Sequence, residues 1–313
     1  MIFVFGSINV DLITPVGQLP KRGETVVGGD YTIVQGGKGA NQALAAARGG
    51  VAGQRVAMVG TVGGDAWGAF AIDLLREAGV DLSAIATGRG HTACGFISVD
   101  PKGQTLITVS PGANMETRAA MLDGLKPALG ANDWLVLQME IPFAENWAAL
   151  DRAKAAGART VLNLAPAAAI DDEVLSRLDM LIVNQPEAHL IGKVQSIASR
   201  DYLEIARTVA TRHRLTCVAT LGEHGSIAVE TNGRGWRVGR IDVDVIDTTG
   251  AGDAYIGYLV SALDRGMVLP EALRFASAGA SLSCETRGAQ SAYRSRAEVE
   301  ARMEALGPAQ AIG

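Results

Sequence analysis

Two glycine turns in this chain sit where chemistry could be done. The first is GGKGANQALAAARGG, residues 36–50, in which a Gly-Lys pair opens an alanine-rich helical pattern. A phosphate loop of the G-x-x-x-x-G-K-[ST] type is excluded, because Thr32 stands at the first glycine and Gly39 where the Mg²⁺-binding hydroxyl belongs. Two readings remain. One is a tight turn leading into a closely packed small-residue helix. The other is a backbone turn shaped to approach a polyhydroxyl ligand, with Gly36, Gly37 and Gly39 allowing contact and Asn41 offering its amide. The second turn lies in IDTTGAGDAYIGYLVSAL, residues 246–263. Gly250, Ala251 and Gly252 can aim several backbone N–H groups at one point at a helix start, which makes an anion hole. Asp253 follows in the first helical turn. It is either a plain helix-start carboxylate or a base placed to take a proton from a hydroxyl attacking a phosphoryl group.

Such residues need a scaffold, and the rest of the sequence supplies one. Short apolar runs at 2–5, 56–59, 135–137, 160–163, 180–183 and 217–220 alternate with helical patterns such as 67–78 and 146–156. That rhythm predicts βαβ units and a mostly parallel sheet covered by helices on both faces. Ligands of such sheets bind beyond the carboxyl ends of the strands. Polar residues stand there repeatedly, in Gly6-Ser7-Ile8-Asn9, Gln138-Met139-Glu140, Asn163-Leu164-Ala165-Pro166, Asn184-Gln185-Pro186-Glu187 and Leu221-Gly222-Glu223. Residues 14–34 and 92–109 break the rhythm. They are rich in Thr, Val and Gly, and the second reads as a hairpin turning at Asp100-Pro101-Lys102-Gly103, so a small separate sheet is expected.

Bulk properties narrow the partners. The chain has 313 residues, 48% of them hydrophobic, and a net charge of −5. That balance offers no basic footprint for nucleic acid or anionic lipid and favours a small molecule. Cys94, Cys217 and Cys284 form no C-x-x-C pair, and the four histidines are scattered, so neither a zinc site nor a disulfide framework is expected. The apolar start lacks the basic flank of a signal peptide, and no apolar run reaches the roughly 18 residues of a membrane span. A cytoplasmic location is expected.

GGKGANQALAAARGG and DTTGAGDAYIGYL resemble the two signatures of the ribokinase-like (PfkB-type) carbohydrate kinase family. GSINVDL, KRGETVVGG, VGTVGGDAWG, SPGANM, NLAPA, NQPEAHLIG, TLGEHGS and TRGAQ extend the likeness, in order, along almost the whole chain. The resemblance implies a three-layer α/β/α fold over residues 1–313, with a β-sheet lid from about 12–35 and 91–110. It implies an ATP-dependent kinase, with D-ribose phosphorylated on O5 as the leading expectation. Another sugar or a nucleoside is the alternative acceptor, and a non-catalytic sensor the remote one. Aromatic residues are only 5% of the chain, and Phe96 is the main one in the hairpin, which favours a sugar over a stacked base.

By the same resemblance, Asn9, Asp11, Gly37, Lys38, Asn41 and Glu140 would bind the sugar. Asp253 would be the general base, beside an anion hole of Gly250, Ala251 and Gly252. Asn184, Thr220, Gly222, Gly225 and Gly252 would meet the nucleotide. Asn184 and Glu187 would hold Mg²⁺ largely through water, although the same N-x-x-E reads equally as a helix cap. Asp247, with carbonyls of Thr249, Ser283 and Gly288, would hold potassium. At the last ligand of that site the chain has Ala292 where the family has serine, with Ser291 one residue early, which weakens the expectation. Gly95 replaces a common alanine near the sugar and implies a larger pocket. Ser277, Ser281 and Ser283 make the helix near the adenine unusually polar. A homodimer formed through the lid is expected.

Overall fold

The computed structural model describes residues 1–312. In chain order its strands are β1 (Ile2–Phe5), β2 (Asn9–Pro15), β3 (Thr32–Gly36), β4 (Val56–Gly63), β5 (Asp81–Gly88), β6 (Ala93–Val99), β7 (Thr105–Ser110), β8 (Trp134–Leu137), β9 (Arg159–Asn163), β10 (Met180–Val183), β11 (Thr216–Thr220), β12 (Ser226–Val229), β13 (Gly235–Val238) and β14 (Gln310–Ile312). Ten form one sheet in the order β14-β13-β12-β11-β10-β9-β8-β1-β4-β5, and four form a second in the order β3-β2-β6-β7. From β11 to β5 every pairing is parallel. The β12–β14 edge is antiparallel, an extension that the alternating pattern did not predict.

The parallel strands form because each is apolar on both faces. In β1, Ile2 and Val4 enter one hydrophobic core while Phe3 and Phe5 enter the other, as a period of two requires. Each such fully buried side chain contributes about 1.5–3 kcal/mol. β1 lies between β8 and β4, where the strand order reverses. This is the switch point at which the carboxyl ends open a crevice.

Two helices flank that crevice, Lys38–Arg48 and Ala251–Asp264. They touch closely because Gly257 lacks a side chain: a Cβ there would fall 2.5 Å from both Gln42 O and Ala45 Cβ. The alanines of the first helix are therefore packing residues as well as part of a turn motif. On the second helix Tyr258 packs against further segments, with its ring edge-on to Phe275 (5.7 Å, 87°) and its hydroxyl donating to Arg294 O.

Two expected helices differ in detail. Residues 67–78 form Ala66–Ala71 and Asp73–Glu77, broken at Ile72 (φ −109°), next to the Phe70 carbonyl that accepts from the Gln35 amide. The helix expected over 146–156 begins earlier, at Phe143, directly behind Pro142. The hairpin turns where expected. Asp100 accepts from the N–H groups of Lys102 and Gln104, and Gly103 takes φ 74°. No helix among the described residues is long and apolar enough to cross a membrane.

Candidate active site

The acceptor side is built where β1 ends. Gly37 sits at φ 88° with its missing Cβ 2.7 Å from Asn9 N, a position no other residue fills without strain. The chain thereby turns sharply into helix Lys38–Arg48, and Glu140, just past β8, receives the helix start. Its Oε2 accepts from Lys38 N (3.0 Å) and from Ser7 Oγ (2.5 Å), while Ser7 Oγ accepts from Gly39 N. A carboxylate there is favoured by the helix dipole. Asn9 is oriented by Asn114, which donates to its Oδ1 (2.7 Å) and accepts from Ile8 N.

Asp11 lies between two glycines of the second sheet. A Cβ on Gly36 would be 2.2 Å from its Oδ2, and one on Gly95 2.4 Å from its Oδ1. Gly95 therefore does not enlarge the pocket, contrary to expectation, because the Asp11 carboxylate occupies the space an alanine methyl would take. Burial, with Glu140 nearby, pushes the Asp11 carboxyl up to about 6, against the Gly95 N–H and Lys38, which favour the anion. Lys38 in turn is held above the usual lysine range by Asp253, despite burial, with help from Glu140, Glu187 and Asp11.

Asp253 is 7% exposed, in the first turn behind Gly250. Asn41 Nδ2 donates to its Oδ2 and Gln42 Nε2 to its Oδ1, both at 2.9 Å. Gly250 takes φ 74°, and a Cβ on it would meet Ala289 Cβ at 2.5 Å and the Tyr293 hydroxyl at 2.7 Å. Tyr293 donates to Gly250 O and braces the turn from behind. A Cβ on Gly252, in contrast, would meet nothing within 4 Å. The turn is closed on one side and open on the other.

Two cavities meet at that open side. One, of about 210 Å³, is lined by Lys38, Asn163, Asn184, Glu187, Gly250 and Asp253, among others. The second, about 290 Å³, lies between Thr220, Gly222 and Gly225 and the start of helix Ala251–Asp264, with Ile241, Val243, Val245 and Ala280 as apolar walls. Thr220 and Gly252 belong to both. The sequence-predicted acceptor, nucleotide and base residues thus converge on one crevice. Asn9, Asp11, Gly37, Asn41 and Glu140 do not line either cavity; Glu140 reaches the smaller one through Lys38 N and Asn41 through Asp253. The serines expected to complicate the adenine end are engaged locally. Ser277 donates to Gly239 O, and Ser281 donates to Ser277 O while accepting from Ile241 N.

Asn184 and Glu187 do form the helix cap. Asn184 Oδ1 accepts from Glu187 N, and Glu187 Oε2 accepts from Asn184 N. Burial raises the Glu187 carboxyl; only its Oε2 is used by the cap, and the residue lines the smaller cavity. Among the described residues no three acidic, His or Cys side chains cluster as a metal cage. Asp247 ties two loops together, accepting from Thr249 N and Oγ1 and from Gly288 N. Burial alone would raise its carboxyl, and these donors hold it below the usual range. Ala292 is buried, whereas Ser291 is exposed and returns its hydroxyl to Arg287 O.

Seven polar residues of this constellation were not nominated from sequence: Ser7, Gln42, Asn114, Gln138, Asn163, Gln290 and Tyr293. Ser7, Gln138 and Asn163 stand in the strand-end motifs, where their polarity was the available signal. Gln42, Asn114 and Gln290 stand inside the quoted family motifs.

Comparison with known proteins agrees with this geometry. The model of a family described as pfkB family carbohydrate kinase matches residues 1–296. A ribokinase of Haemophilus influenzae is 34% identical over 296 residues, 94% of this chain and 95% of that protein. Ribokinase structures from Thermotoga maritima (TM-score 0.87, 32% identity, 97% and 99% of the two chains) and from Arabidopsis thaliana in complex with ribose and ATP (TM-score 0.85, 28% identity, 97% and 98%) are similar in fold. Fold and site together define an enzyme of the ATP-dependent sugar kinase class. The chain belongs to the pfkB family of carbohydrate kinases.

Proposed function

We propose that this chain transfers the γ-phosphoryl group of ATP to O5 of D-ribose, giving D-ribose 5-phosphate and ADP. The observation that carries the reading is Asp253, buried at a helix start beside the Gly250–Gly252 turn, where the two cavities meet. The similar Arabidopsis ribokinase holds ribose and ATP together, which supports a site that takes both substrates at once, with the sugar beside Lys38 and Asp253 and the nucleotide along the larger cavity. Asn9, Asp11, Asn41 and Glu140 present acceptors and an amide to sugar hydroxyls and fix the ring. Asp253 then accepts the O5 proton as the oxygen attacks phosphorus in line. The N–H groups of the turn, with Lys38, meet the charge that builds on the phosphoryl oxygens.

Glu187 and Asn184 suit a Mg²⁺ ion bound mainly through water, since one Glu187 carboxylate oxygen remains outside the cap and no acidic cage is present among the described residues. Such an ion, when bound, neutralises phosphate charge. Asp247 with the carbonyls of Thr249, Ser283 and Gly288 is the proposed potassium site, and the second sheet is the proposed lid that excludes water. A cytoplasmic location fits the need for ATP.

The test is a coupled ADP-release assay across ribose, deoxyribose, fructose, 2-keto-3-deoxygluconate and adenosine, with and without K⁺. Ribose-dependent ADP release is expected. Asp253→Asn should lower kcat by about 10²–10⁴-fold. A chain inert toward ribose but active on adenosine would overturn the substrate, and near-normal turnover of Asp253→Asn would overturn the mechanism.

A further inference from the structure

We infer that Gln42 is a positioning residue for Asp253, holding the carboxylate in the orientation needed for proton transfer without touching substrate. The inference rests on the proposed role of Asp253 as the base. Gln42 is fully buried (0% exposed), whereas Asn9, Asn41 and Asp253 keep 5%, 6% and 7% exposure toward the crevice. Its Nε2 donates to Asp253 Oδ1 (2.9 Å) and to Asn163 Oδ1 (3.2 Å). Its Oε1 accepts from Gln138 Nε2 (2.8 Å).

That last bond gives the arrangement its direction. An amide has a donor end and an acceptor end, and either could face a neighbour. Gln138 Nε2 satisfies the acceptor end of Gln42, which leaves the donor end for the carboxylate, a group that can only accept. The other oxygen of Asp253 is treated in the same way. Gln290 Nε2 donates to Asn41 Oδ1 (3.1 Å), which turns Asn41 Nδ2 onto Asp253 Oδ2. Two amide strings, Gln138–Gln42 and Gln290–Asn41, therefore end on the two oxygens of one carboxylate. With each oxygen held by a donor, the carboxylate cannot rotate about its Cβ–Cγ bond, and its remaining lone pairs keep a fixed direction. The strings join the ends of β8 and β9 to helices Lys38–Arg48 and Ala251–Asp264, so the base is referenced to the sheet as well as to its own helix. Asn41 also stands at the proposed sugar site, whereas Gln42 separates positioning from sugar binding.

The experiment compares Gln42→Leu, Gln42→Glu and Gln138→Leu with the wild-type enzyme in the same ADP-release assay, with circular dichroism as the folding control. Gln42→Leu should lower kcat about 10–100-fold and leave KM for ribose and for ATP within about twofold. Gln138→Leu, which frees Gln42 to flip, should lose kcat in the same way by about 3–10-fold. Gln42→Glu gives a readout that a merely structural role would not move. In its acid form the carboxyl donates to Asp253 as the amide does, whereas its anion repels it. Burial beside Asp253 raises the introduced carboxyl well above the ordinary glutamate range, so the variant's kcat relative to wild type should fall as pH rises from about 6 to 9. The other groups around Asp253 (Lys38, Asp11, Glu187 and Tyr293) are common to both proteins. If Gln42→Leu does not fold, Gln42→Glu and Gln138→Leu decide. Unchanged kcat in a folded Gln42 variant, a loss in KM alone, or a pH-independent Gln42→Glu ratio would overturn the inference while a ribose-active wild type keeps the kinase reading. A wild type inert toward ribose overturns the ribose assignment instead, and the Gln42 comparison is then run on the acceptor that is turned over.

Discussion

Asp11 carries a carboxyl whose surroundings favour the acid, although a sugar's hydroxyls need the anion. Its proton is held up to about 6 chiefly by burial. The folded chain binds that proton more tightly than the unfolded one, so this group's stabilising contribution is present at low pH and is lost as pH rises through about 6. Sugar binding runs the opposite way, because only the ionised group accepts from two hydroxyls. Ribose titrated calorimetrically without nucleotide should bind about tenfold more weakly at pH 5 than at pH 7.5. Asp11→Asn should bind weakly with no such limb, and a flat wild-type profile would remove Asp11 from the sugar site. Acids of this kind were legible in the sequence because motifs bring them forward. The glutamine amides were not. Gln42 lies in a helix, where glutamine usually reads as solvent-facing, and only the close approach of a second helix reveals that it faces a buried carboxylate. Gly95 misled for the complementary reason: sequence records a missing methyl, not the side chain that fills its place.

At the scale of elements, the turn before helix Ala251–Asp264 separates a folding glycine from a functional one. Gly250 is left-handed and wedged against Ala289 and Tyr293. Gly250→Ala should cost about 2–4 kcal/mol through backbone strain and overlap, read from denaturant unfolding. Gly252 faces open space at the start of a helix. Gly252→Ala should keep or slightly raise stability, since alanine is the better helix former by up to about 1 kcal/mol. Its methyl would nevertheless stand where the phosphates approach, raising KM for ATP by about tenfold or more. Equal stability losses in the two variants would contradict this division. The parallel strands around the turn were readable because full burial on both faces writes continuous apolar runs. The β12–β14 edge was not, since β14 is largely exposed and Arg237 interrupts β13. The break at Ile72 was likewise hidden, because the Gln35 amide beside it comes from a distant segment.

For the molecule as a whole, the four-stranded sheet presents more apolar surface than a solvent-facing sheet should. Register places Ile33, Leu12 and Phe96 on one face, with Leu106 two residues along from Phe96's partner Thr108. Ile13, Ile97 and Ile107 fall on the other face, with Asp11, Gly95 and Val109. Phe96 is 49% exposed, Ile107 56% and Val109 49%. A mixed sheet such as this one, with β2 and β6 parallel and its outer pairs antiparallel, is expected to keep an apolar face only where that face is covered, and apolar groups open on both faces mark a surface that expects a cover. We expect the cover to be the same sheet of a second copy about a twofold axis, since an isologous contact satisfies both chains at once. Light scattering after size exclusion should give twice the chain mass of 32.5 kDa. The double substitution Phe96→Glu, Ile107→Glu should shift the protein to monomer by placing charge on both faces. Because β2 carries Asn9 and Asp11 in this sheet, loss of the dimer should raise KM for ribose several-fold, about 1 kcal/mol in binding, while a bound-ATP titration stays unchanged. A wild-type chain that elutes as a monomer at tens of micromolar would instead leave the sheet's apolar faces to close on the chain's own crevice.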